Sequence, residues 1–425
     1  DFQLQYENAE TKSAGRTFVG NVARAASAAE VTLRSDDGVV VEVQGSVVHC
    51  LLPDDSGNIN LIRRKCGALS DALHFVFNGA TAVEGWRIAT DWGKTLLVRG
   101  RGIHNDDSYV SLGDAANAPA KHLYAQMSIS SEDDRKLKRY MVGLRRGKST
   151  AWQHEFLSLQ NEEEFKKSAS FDLTDAKTKQ FFVTDVFSKQ AKAAPDLLSE
   201  RTSVQLSATP VVQTKDDPVV YFGWAMRADL DGFTARVEEC YDDDIKLLKL
   251  GQDFESIMDK AAEFAEQHAE ELIQLPWAGD NFTAVVTFPD RDNYTNAIES
   301  RYIEFSLDFA NALRDITTRA GLNGWAQTSA AGDINANAHG NVYVGSVTFE
   351  GRRFLIGAGQ GIGRSTQAFT DLEPATGELV IFAEDRQLLL KPYQQQFTDR
   401  EKPDGSDSTL FWLAKMEYLN SARPQ

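Results

Sequence analysis

Three cysteines in 425 residues, Cys50, Cys66 and Cys240, are too few and too scattered for a disulfide scaffold. They form no C-x-x-C pair, which removes the common zinc and dithiol signatures and fits a reducing compartment. No apolar run approaches the roughly 18 residues needed to cross a bilayer. No charged-then-apolar signal segment opens the sequence, and the chain starts at Asp1 rather than Met, as a processed protein, a trimmed one or a part of a longer one would. Positive charge is also short. The formal net charge of −17 opposes tight, non-specific coating of DNA or RNA and disfavours anionic membrane surfaces. Seven histidines are scattered, with none spaced as H-E-x-x-H: His154-Glu155 is followed by Ser158 where the second ligand belongs. A G-x-S-x-G elbow is absent, so a serine hydrolase lacks its usual anchor. No internal repeat or low-complexity tract is present.

Phosphate-binding signatures are present only in broken form. Arg146-Gly147-Lys148-Ser149-Thr150 ends like a phosphate loop, but the first glycine of that loop falls on Val142 and Gly143 comes one residue late. Gly357, Gly359, Gly361 and Gly363 alternate where a dinucleotide fingerprint needs a different third position. Arg364 stands where a relaxed phosphate loop needs Lys, and no convincing helix is expected to follow. Phe181-Phe182-Val183-Thr184-Asp185 offers the strand-ending acid that a nucleotide hydrolase uses to help hold magnesium. His104-Asn105-Asp106-Asp107 reads as a solvated turn. The seven tryptophans read as core or interface residues rather than a sugar platform.

The expected fold is α+β. Residues 1–30, polar and rich in Ala and Ser, read as an N-terminal arm. A β-rich domain over 31–235 carries β-branched runs at 39–43 and 47–52, with further strands at 73–77, 95–98 and 123–129. It is interrupted by a helical insertion at about 131–167, in which Leu137, Tyr140, Met141 and Leu144 recur at helical spacing. In an α+β domain over 236–425, two long amphipathic helices are expected. One carries Phe254, Ile257, Met258, Ala261, Ala265, His268 and Leu272 and ends before Pro276; the other carries Ile298, Tyr302, Phe305, Phe309, Leu313 and Ile316 and stops at Gly321. Strands then return at 342–349, 353–356 and 378–382, and an apolar tail closes the chain.

Charge is segregated. Arg135, Lys136, Lys138, Arg139, Arg145, Arg146 and Lys148 leave segment 132–148 at +4, while 12 acids and three lysines leave 238–275 at −9. Glu238, Glu239, Asp242, Asp243 and Asp244 open the acidic stretch. Opposed patches steer association and fix register. The tail, with Phe411, Trp412 and Met416, looks suited to docking on a neighbour. These features lead to a non-enzymatic expectation: a self-assembling structural subunit, a viral capsid protein forming a large homo-oligomer in a virion or the cytoplasm. Its partner would be itself, without cofactor, metal or membrane, and with nucleic acid enclosed rather than tightly bound. The alternative is a nucleotide-dependent enzyme using Lys148 and Ser149, or a hydrolase with an unrecognised active site. A carbohydrate-binding module is a third reading.

Overall fold

The computed structural model describes residues 12–34, 38–44, 47–52, 59–77, 86–101, 107–113, 140–145, 153–156, 219–288, 300–331, 341–349, 352–400 and 411–424, with a few residues near 115–123, 181–182, 205–206 and 296. The fold is mixed, with a large sheet flanked by helices.

In the N-terminal part, helix α1 (Lys12–Arg34) precedes a hairpin of β1 (Val39–Gln44) and β2 (Val47–Leu51). Helix α2 (Ile59–Phe77) and β3 (Trp86–Asp91) follow. Then come the hairpin β4 (Leu96–Arg101)–β5 (Asp107–Leu112), β6 (Tyr140–Arg145), β7 (Gln153–Phe156) and the two-residue strands β8 (Phe181–Phe182) and β9 (Gln205–Leu206). β6 lies between β3, which it joins in parallel, and β7, which it joins antiparallel.

The C-terminal part begins with the 13-residue β10 (Val219–Asp231). It continues through α3 (Phe233–Cys240), α4 (Asp244–Gln267), β11 (Leu272–Gln274), β12 (Asn281–Phe288), α5 (Arg301–Arg319) and β13 (Gly324–Ala331). Next are β14 (Asn341–Phe349), β15 (Arg352–Ala358), α6 (Gln360–Leu372), β16 (Glu378–Phe382), α7 (Ala383–Arg386) and α8 (Lys391–Gln394). The last elements are β17 (Thr398–Asp399), β18 (Phe411–Lys415) and α9 (Met416–Ser421). The sheet runs β11-β12-β10-β13-β16-β18-β17, with β14 and β15 continuing from the start of β10. β13 and β16 pair in parallel.

Alternation along β10 decides what each sheet face does. Trp224, Met226, Ala228 and Leu230 enter the main core beneath α4 and α5, where Phe254, Ile257, Tyr302 and Phe309 are fully buried. The intervening residues, Arg227 and the acids that follow it, lie on the other face, which α6 partly covers. Helix α4 starts where the Asp243 carboxylate accepts the N–H groups of Ile245 and Lys246, both at 3.1 Å. The β4–β5 hairpin seats Leu96, Val98, Val110 and Leu112 in the same core. That approach requires glycine twice: a Cβ on Gly251 would lie 2.7 Å from Leu96 Cδ2, and one on Gly100 would lie 2.6 Å from Met258 Cβ.

Several local expectations are corrected. Residues 12–30 are not an arm but most of α1, whose Phe18, Val22, Ala26 and Ala29 bury against Phe354, Ile356 and Ala358 of β15. Small side chains lower apparent hydrophobicity yet let a helix sit close. Residues 73–77 end helix α2 rather than forming a strand. The helical spacing around Tyr140 belongs to strand β6, and residues 153–156 are strand rather than helix. The long acidic helix stops at Gln267; His268 leaves helical geometry at φ −116°, and Leu272 pairs with Val286 in the sheet. The tail is an internal strand, because β18 pairs along its length with β16.

Candidate functional site

The site is built at the end of β10. Asp229 and Asp231, two residues apart on a strand, project to the face opposite the main core. Asp229 is in register with Asn281 on β12 and with Ala326 on β13, and Asp231 with Gly324. The β12 side begins with a two-residue hairpin, Gly279-Asp280, closed by reciprocal backbone bonds between Ala278 and Asn281 of 3.0 and 3.1 Å. Gly279 sits at φ 59°, the left-handed region such turns require. Pairing of β10 with β12 therefore brings Asp280, 51 residues away in sequence, beside the strand end that carries Asp229. All three acids are half-buried. Asp231 accepts a hydrogen bond from the Thr376 hydroxyl, which ties this edge to the turn before β16.

Beyond Asp231 the chain turns at Gly232, φ 81°, and enters α3. No side chain caps that helix and its first turn holds no acid. An uncapped helix N-terminus presents backbone N–H groups and the positive end of the helix dipole to an anion. Carboxylates for a cation and N–H groups for an anion thus meet at one corner of the sheet. Among the described residues no group of three or more His, Cys, Asp or Glu is placed to hold a metal ion. Magnesium is nonetheless commonly held by one or two carboxylates together with a ligand's phosphate oxygens, and Asp229 with Asp280 fits that pattern.

The neighbouring residue on the same face is Arg227. Its Nε donates to Asn281 Oδ1 at 2.9 Å and its Nη1 to Thr366 Oγ1 at 3.0 Å. The guanidinium lies 5.6 Å from the Phe369 ring centroid.

A second polar cluster lies at the opposite end of β13. Arg364 donates to the Ala331 carbonyl at 2.8 Å and Glu384 at 2.6 Å, lies 3.3 Å from Asp385, and stacks over Phe382. Asp385 is fully buried, and its second oxygen accepts the Ala331 N–H at 3.2 Å. Burial pushes this carboxyl up to about 8, despite the opposing pull of Arg364.

The expected assembly residues are placed differently. Arg135, Lys136, Lys138, Arg139, Arg146 and Lys148 lie outside the described residues, as do Ser149 and Asp185. Arg145 ends strand β6. Within the acidic group, Glu239 pairs with Arg236 at 2.8 Å, Asp243 caps α4, and Asp244 pairs with Lys94 of the N-terminal part. Glu238 is an exposed residue of α3, and Asp242 lies between α3 and α4. The helix at Lys246 gives Asp243 a backbone hydrogen bond, which holds its carboxyl below the usual range. Phe411 is fully buried, Met416 is buried, and Trp412 lies under Arg386 at 4.0 Å, so the tail belongs to this chain's own core. A helix, α6, does follow the glycine-rich stretch. Gly357 serves packing: a Cβ there would lie 2.6 Å from Leu275 and 2.7 Å from Ile362. Burial, with Glu30 nearby, pushes the Cys50 thiol up, away from nucleophilic use.

The acids at the site escaped the sequence reading. The criterion that singled out Asp185, an acid ending an apolar strand, applies equally to Asp229, where alternating core residues end in Asp-Leu-Asp-Gly.

No family model and no curated protein matches the sequence. Among solved structures, the chain is similar to a Class III adenylyl cyclase-like ATP-binding protein from Pseudomonas aeruginosa, at 15% identity and a TM-score of 0.55 over 99% of this chain and 87% of that one. Shorter overlaps, at TM-scores of 0.35 and 0.34, join it to the guanylyl cyclase Cya2 and the adenylyl cyclase CyaB from P. aeruginosa. They share 15% and 11% identity over 46% and 47% of this chain and 93% and 96% of theirs. The viral capsid reading, with its virion localisation, is overturned: over nearly its whole length the chain shares its fold with a cyclase-like ATP-binding protein. Among the described residues no helix is long and apolar enough to cross a membrane. At 15% identity, what the chain shares with the ATP-binding protein is its fold, along nearly its full length.

Proposed function

We propose that the chain is a nucleotide-dependent protein that binds a nucleoside triphosphate, ATP in the first instance, together with a divalent cation at the end of β10. The observation that carries this reading is the meeting of Asp229 and Asp280 with the uncapped N-terminus of α3. Asp229 and Asp280 would hold the cation, which bridges phosphate oxygens and offsets their charge. The N–H groups of the first turn of α3 would bind the phosphate from the other side. Gly232 allows a phosphate to approach the backbone without a side chain in the way. The fold shared with an ATP-binding protein supports this reading over a shell subunit.

The test is isothermal titration of the protein with ATP in Mg2+. Asp229→Asn and Asp280→Asn keep side-chain size while removing the charge. Each should weaken binding in Mg2+ by several-fold, up to about tenfold, the loss of one charged ligand of the cation. Wild-type protein that gives no binding heat and no thermal shift at millimolar ATP and Mg2+ would refute the proposal.

A further inference from the structure

Arg227 carries the next step, which rests on the nucleotide reading above. It is a half-buried arginine whose hydrogen bonds go to neutral oxygens, the Asn281 amide at 2.9 Å and the Thr366 hydroxyl at 3.0 Å. No described carboxylate forms an ion pair with it. Buried or half-buried guanidinium groups are ordinarily compensated by an acid, because desolvating a charge without one is unfavourable. Three of its five N–H donors are not used by these two bonds. The guanidinium lies 5.6 Å from the Phe369 ring centroid, and Asn281 is both its acceptor and the register partner of Asp229. Arg227 and Asp229 share one strand face two residues apart, about 7 Å along the strand.

We propose that Arg227 is a built-in counter-charge of the phosphate site, one that lets this chain hold ATP with only a weak requirement for a divalent cation. A fixed cation beside the carboxylates discourages Mg2+ from binding alone. Once phosphate enters, Arg227 supplies part of the compensation that the metal would otherwise give. Arginine suits the task because its charge persists at every working pH and its planar fork matches phosphate oxygens. The Asn281 and Thr366 bonds hold the fork in place before the ligand arrives, so little side-chain freedom remains to be lost on binding.

The experiment measures ATP affinity in Mg2+ and in EDTA, for wild type, Arg227→Met and Arg227→Lys, with folding checked by circular dichroism. In wild type, removing Mg2+ should weaken ATP binding by less than about tenfold. In Arg227→Met the same removal should cost more than about a hundredfold, since one charged hydrogen-bonding group carries about ten- to a hundredfold in affinity. Arg227→Lys should fall between them, because it keeps the charge and loses the fork. If Arg227→Met does not fold, Thr366→Val removes only one bond that aims the guanidinium and should widen the Mg2+/EDTA ratio in the same direction. Equal ratios in wild type and variants, or a wild type that binds only with Mg2+, would overturn the role of Arg227 and leave the nucleotide reading standing. Absence of ATP binding in either condition would defeat both.

Discussion

Asp385→Asn gives a perturbation whose sign and size follow from local geometry. The carboxyl is fully buried between the end of β13 and the start of α7. Desolvation is the largest influence on it and Glu384 adds to the rise; Arg364 and the Ala331 N–H pull the other way, and the balance leaves it near 8 against an ordinary 3.8. The native state therefore keeps this proton across a range in which the unfolded chain has lost it. Because the native state then binds more protons, stability falls as pH rises from about 4 to about 8 and levels off above that. At roughly 1.4 kcal/mol per unit, the whole window corresponds to several kcal/mol, on the order of 6 as an upper limit. Asparagine keeps the oxygen that accepts from Ala331 and has nothing to titrate. Urea unfolding of wild type and variant at half-unit steps from pH 5 to 9 is the assay. The wild type should lose its advantage over Asp385→Asn steadily toward pH 8. A constant difference between the two across that range would refute the argument.

Two further perturbations test the packing. Gly223→Ala places a Cβ 1.9 Å from the Val286 carbonyl oxygen, a clash with backbone that the β10–β12 ladder cannot relax. A loss of at least about 3 kcal/mol, read by thermal melting or as insoluble expression, is expected. Phe254→Ala empties a fully buried position that touches Phe233 and Trp277, and should cost about 3 to 5 kcal/mol in denaturant unfolding with the native circular dichroism retained.

What could be read from the chain, and what could not, follows from the range of each interaction. The stripes of α4 and α5 are local, long and capped, so periodicity exposes them, down to the turn at Gly321. Helix α1 repeats every three or four residues as well, but its buried face is largely alanine, and composition argued against it. Tyr140–Arg145 is six residues of apolar and basic side chains, short enough for strand and helix periods to coincide, and pairing with β3 and β7 decides the matter. The candidate site was the least legible part. Asp229 and Asp280 are linked by the register of β10 on β12, which no local pattern encodes. Glycine and lysine spacing points to phosphate loops, whereas the proposed phosphate site is a strand end, one glycine and an uncapped helix.

The most direct test of the account is a crystal structure with Mn2+ and a non-hydrolysable ATP analogue, using anomalous scattering to locate the metal. The account predicts a Mn2+ peak between the carboxylates of Asp229 and Asp280, with phosphate oxygens against the first turn of α3. Metal and nucleotide bound elsewhere on the chain, or no density at this corner under saturating ligand, would contradict it.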